Sequence, residues 1–104
     1  MGHFTCDLTS DAKTALFEQL IASGMRVGIR RTKHPSGIVE EKWDSGGLLN
    51  GTWCHLVWEE EKQTWWLSFG ASPWSSLALR QLIDTVIAIV DAHPGCRSRL
   101  KKSG

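Results

Sequence analysis

From Ala12 onward the apolar residues Leu16, Phe17, Leu20 and Ile21 recur at helical spacing, while Lys13, Thr14, Glu18 and Gln19 take the opposite side. Thr9, Ser10 and Asp11 can each cap a helix start, and Gly24 supplies the stop, which predicts an amphipathic helix over residues 11–23. Leu8 stands where it can staple onto that helix, and residues 3–8 read as a lead-in able to add an edge strand. At residue 26 the period changes to two. Residues 26–32 alternate, with Val27 and Ile29 on one side and Arg26, Gly28 and Arg30 on the other. His34-Pro35-Ser36-Gly37 then reads as a turn into a strand over 38–43. Placing Arg30 opposite Glu40 puts Val27, Ile29, Val39 and Trp43 on one face and the charges on the other.

A glycine-rich connection, residues 44–51, leads to the strongest strands, 52–58 and 63–69, a hairpin around the acidic tip Glu59-Glu60-Glu61. Pairing Leu56 with Trp65 places Cys54, Leu56, Trp58, Trp65, Leu67 and Phe69 on one face. Trp53, His55, Val57 and Trp66 then occupy the other, so both faces are apolar. Ser72-Pro73 signals a second helix that runs from Trp74 to Ala92, where His93-Pro94-Gly95 ends it. Its main stripe is Leu79, Leu82, Ile83, Val86, Ile87 and Val90, with Leu77, Ala88 and Ile89 left looking outward. Residues 97–104 carry Arg97, Arg99, Lys101 and Lys102 with Leu100 as their single apolar side chain, and are expected to be a flexible basic tail.

The order helix, four strands, helix predicts the α+β class: an antiparallel sheet of four strands, or five with residues 3–8, in two layers or as a half-open barrel. In outline this order is similar to frataxin-like sandwiches. The acidic ridge of that fold is absent, since residues 11–23 offer only Asp11 and Glu18. Residues 1–96 are expected to form one domain, because the 104-residue chain is too short for two cores.

Composition narrows the partners. Hydrophobic residues make up 41% and charged residues 22%, an ordinary globular balance, and a net charge of +1 gives no support to a nucleic-acid partner. Cys6, Cys54 and Cys96 cannot all pair within one chain, and the first residues lack a secretory pattern, so a reducing, cytoplasmic location is expected. The longest apolar run, Val86 to Val90, falls far short of the roughly 20 residues that cross a bilayer.

Six tryptophans are several times ordinary usage, and Trp53, Trp58, Trp65 and Trp66 share the second hairpin. Core filling accounts for some of them. Trp53, His55 and Trp66, together with Trp74 at the start of the second helix, are the candidate ligand- or partner-binding residues, because two helices cannot cover both faces of the hairpin. His3-x-x-Cys6 and His93-x-x-Cys96 have a spacing that suits zinc if the chain ends meet, yet structural zinc more often uses Cys-x-x-Cys, and no metal or cofactor is expected. Gly70-Ala71-Ser72-Pro73-Trp74 lacks the second glycine of a nucleophile elbow. Cys54 and His55, adjacent on a strand, point to opposite faces. These features favour a non-enzymatic binding module, homodimeric or engaging a protein or an apolar small molecule. The alternative is a small enzyme or metabolite-binding protein with a pocket between sheet and helix around His55, and the sequence does not decide between them.

Overall fold

The computed structural model describes residues 3–47, 52–71 and 76–103. Among them the chain runs β1 (His3–Leu8), α1 (Ser10–Ala22), β2 (Met25–Lys33), β3 (Val39–Gly47), β4 (Thr52–Glu59), β5 (Thr64–Ala71), α2 (Ser76–Ala92) and β6 (Arg97–Ser103). The strands form one six-stranded sheet in the order β2-β3-β4-β5-β1-β6, with every neighbouring pair antiparallel. The class is the α+β expected from the sequence, with an antiparallel sheet and a helix before and after the two hairpins.

Local chemistry sets the first helix. Thr9 Oγ1 accepts a hydrogen bond from the Ala12 amide at 3.2 Å, satisfying one of the first-turn donors, and Gly24, at φ +89°, turns the chain out into β2. Leu8, just ahead of the cap, is fully buried, so the chain enters the helix already anchored to the core.

Both hairpins form, each displaced from the expected register by two residues. Arg30 faces Lys42 and Thr32 faces Glu40, while Leu56 faces Leu67 and Trp58 faces Trp65. A slip of two preserves the face of every side chain, so the expected partition into two faces holds.

The ends of the chain differ from expectation. Residues 3–8 do not form an edge; they lie inside the sheet between β5 and β6. Phe4, Cys6 and Leu8 give this strand one wholly apolar side, and Phe4 stacks on Phe69 with ring centroids 5.7 Å apart. With β1 inside, its far edge needs hydrogen-bond partners. Residues 97–103 of the expected tail supply them as β6, pairing Cys6 with Ser98 and Asp7 with Arg97. A ladder is made by backbone groups, so poor hydrophobicity does not prevent pairing, and alternating basic residues suit a strand that ends a sheet.

One face of the sheet carries the core. Cys6, Leu8, Trp43, Cys54, Leu56, Trp65, Leu67 and Phe69 meet Ala12, Leu16 and Leu20 of α1 and Leu82, Val86 and Val90 of α2. The helices touch each other over this face. On α2, Leu77 and Ala88 look outward as expected, but Ile89 packs against the core, because it lies three and seven residues from Val86 and Leu82 on the same stripe, and Ile87 turns to solvent instead.

One charged side chain enters this apolar layer. Glu41 is 4% exposed; its carboxylate accepts from Lys13 Nζ at 2.6 Å and Trp43 Nε1 at 3.0 Å, with Arg31 Nε at 3.5 Å. The Lys13 ammonium also lies 3.8 Å from the centroid of the Trp65 ring, so a single cation joins α1 to β3 and β5. Burial pushes the Glu41 carboxyl up, but the hydrogen bonds from Lys13 and Trp43 and the charges of Lys13 and Arg31 outweigh it, leaving the group below its ordinary 4.5.

A depressed carboxyl stabilises the fold above its unfolded value and loses that contribution as pH falls through its folded value. Glu41→Gln should therefore destabilise the domain by about 2 kcal/mol at neutral pH, and the difference should shrink in acid, below the ordinary 4.5. Urea unfolding of both proteins at neutral and acidic pH checks this. Deleting residues 97–104 should uncover the edge of β1 and lower the melting temperature by more than about 5 °C, read by calorimetry.

Candidate functional site

The second face of the sheet has no helix on it. At its centre stand Trp53, His55 and Val57 of β4 and Trp66 of β5, each partly exposed, with Val57 directly across from Trp66. The His55 ring meets Trp66 edge-on, with centroids 6.3 Å apart and planes at 86°. On the β3 side Lys42 lies across from His55, Glu40 across from Val57 and Asp44 across from Trp53, so charged side chains rim the aromatic centre. Asp44 pairs with Arg30 at 3.1 Å at the exposed margin.

Glu40 joins two histidines. Its Oε2 lies 2.9 Å from His55 Nε2 and its Oε1 lies 2.8 Å from His34 Nε2. An ionised carboxylate only accepts, so both Nε2 atoms carry hydrogen and donate. The hydrogen bond from His55, then that from His34, holds the Glu40 carboxyl below its ordinary 4.5. The imidazole planes are thereby set, and the His55 ring stands upright beside Trp66.

The expected site residues divide. Trp53, His55 and Trp66 come together on this face. Trp74 lies outside the described residues. The expected pocket between sheet and helix around His55 does not form, because His55 points away from both helices. Trp43 and Trp65 are buried in the core, and Trp58 lies at its margin, 5.3 Å from the Trp65 ring.

Pairing of β1 with β6 does bring the two ends of the chain together, as the spacing His3, Cys6, His93, Cys96 required. Burial, with the charges of Asp7 and Cys96, pushes the Cys6 thiol up to about 12, against the thiolate that zinc demands. Cys96 Sγ accepts from the Thr9 amide at 3.5 Å, and the side chain of His3 lies outside those described. Among the described residues no group of three or more His, Cys, Asp or Glu side chains is arranged to hold a metal ion.

Nucleophilic chemistry fares no better. Cys54 faces the core, where burial raises its thiol to about 12. Ser68 lies across from His55, giving the residue types of a serine, a histidine and an acid, but no hydrogen bond joins serine to imidazole and Ser68 is only 6% exposed. Amides in the middle of a sheet are committed to the ladder and cannot serve as oxyanion donors.

Glu40 and His34 are the site residues that sequence reasoning missed. The available signal was that Glu40 falls on the charged face of the first hairpin and His55 on the outer face of the second, which meet once the hairpins lie side by side. Compared with known proteins, the chain matches no family model and no curated relative.

The Glu40 carboxyl should titrate below 4.5 in carbon-detected NMR, and replacing His34 and His55 together by alanine should return it toward that value.

Proposed function

We propose that this chain is a non-enzymatic binding module of the reducing cytoplasm whose open sheet face docks on a protein, and that its partner is a second copy of itself. The observation that carries this reading is the group Trp53, His55, Val57 and Trp66, gathered at the centre of a face that neither helix covers. Partly exposed indoles inside a charged rim are the anatomy of a protein interface, where aromatic anchors supply affinity and the rim supplies register. Six strands spaced about 4.8 Å apart make a face roughly 25 Å across, close to the span of a standard interface burying about 800 Å² per partner.

The rim favours self-association. Arg30 and Lys42 stand among Glu40 and Asp44, so a two-fold contact can set the cations of one copy against the anions of the other. Three free cysteines support a reducing compartment. No helix of the described residues is long and apolar enough to cross a membrane.

Light scattering at about 100 µM, well above a micromolar dissociation constant, should give twice the chain mass of 11.6 kDa. The double variant Trp53→Ala, Trp66→Ala should give the single mass with an unchanged far-ultraviolet spectrum. A wild-type monomer would overturn the dimer, and native mass spectrometry of that monomer would show whether an apolar small molecule occupies the face instead.

A further inference from the structure

At the β6 end of the sheet a pocket of about 310 Å³ opens between Asp7, Lys62, Thr64, Gly95 and Arg97. It flanks the aromatic centre, since Asp7 lies across from Trp66 in the β1–β5 ladder, but it is lined by polar groups of its own. The loop after α2 builds one wall: Gly95, at φ +91°, packs so closely on Thr9 that an added Cβ would lie 3.3 Å from the threonine methyl, and the chain then enters β6 at Arg97.

Two polar groups that face this pocket find no side-chain partner among the described residues. Asp7 is 5% exposed, yet no hydrogen bond or ion pair engages its carboxylate among the described residues. Arg97 is its direct cross-strand partner in the β1–β6 ladder, but the two form no ion pair, and the guanidinium stays exposed. Thr64 Oγ1 is buried and has no hydrogen-bond partner. Lys62, at the mouth, is half exposed and reaches Glu59 at 3.3 Å. Glu41 shows how the fold treats a buried acid whose role is structural, surrounding it with donors. A nearly enclosed carboxylate that finds no donor in the protein takes its hydrogen bonds from whatever fills the pocket, and a ligand that brings an ammonium group supplies them.

From this arrangement we infer that the pocket is a binding site for a free α-amino acid. Asp7 and Thr64 lie inward and offer three acceptor oxygens, the number of hydrogens on an ammonium group. Arg97 and Lys62 lie at the mouth and match a carboxylate, the guanidinium by its two parallel N–H groups. An α-amino acid carries both charges a single carbon apart, which suits an acid and a base placed opposite each other on adjacent strands. A simple amine would leave the mouth unpaired, and a simple anion would meet Asp7. The site stands whether or not the open face docks a second copy.

Thermal shift with each of the common amino acids, followed by calorimetric titration of those that respond, tests the assignment. At least one amino acid at saturating concentration should raise the melting temperature by about 3 °C or more. Its amide and its N-acetyl derivative should bind at least tenfold more weakly. Asp7→Asn should abolish the shift, and Arg97→Gln, an exposed position whose replacement leaves the core untouched, should weaken binding tenfold or more. Absence of a shift with every amino acid would overturn the proposal. So would undiminished binding to either variant, or equal binding of the amide or the N-acetyl derivative, which would reveal a site for one charge alone.

Discussion

Crossovers between strands that run in the same direction turn right-handed, and this chain makes two of them. β1 and β2 are parallel to each other across the sheet, as are β5 and β6, and a helix joins each pair. The first crossover moves one way along the sheet from a strand pointing down; the second moves the opposite way from a strand pointing up. Half a turn about the sheet normal converts one into the other, so equal handedness sends both helices to the same face. That constraint produces the contact between α1 and α2, the single core, and the uncovered second face.

The consequence is read most clearly in adjacent residues. Glu40 and Glu41 are neighbours on β3 with opposite surroundings. Glu41 turns under α1, where Lys13 and the Trp43 indole neutralise and satisfy it. Glu40 turns to the open face, where it orients His34 and His55. The tryptophans divide by the same alternation: Trp65 fills the core and Trp66, one residue on, stands on the platform. Core filler and surface anchor are thus two fates of one residue type, assigned by the pleat.

Much of this was legible because a strand needs only its parity to be right. The faces of Trp53, His55, Trp65 and Trp66 follow from alternation, and both hairpins slipped by two residues without disturbing them. What alternation does not encode is lateral order. Residues 3–8 are too few to reveal whether they end a sheet or divide one, and the answer depends on Phe69 and Leu67, far along the chain. The basic segment after Cys96 carries almost no apolar signal, because its place is determined by the unpaired backbone of β1. The pocket beside Asp7 and Arg97 was hidden for the same reason, since its two charged walls become neighbours only through that pairing.

The place of β1 between β5 and β6 also shapes how the fold is reached. Phe4 waits for Phe69, and Cys6 waits for Ser98, while the two hairpins close over short loops. Loop closure over most of the chain must precede those contacts, and its entropic cost rises with sequence separation, which slows folding. On a ribosome β1 emerges well before both of its partners, with Phe4 and Leu8 uncovered until β5, α2 and β6 have followed. The strand that joins β6 to the rest of the finished sheet thus spends much of synthesis with an open edge and an apolar side, a state that chaperones or another nascent chain can engage.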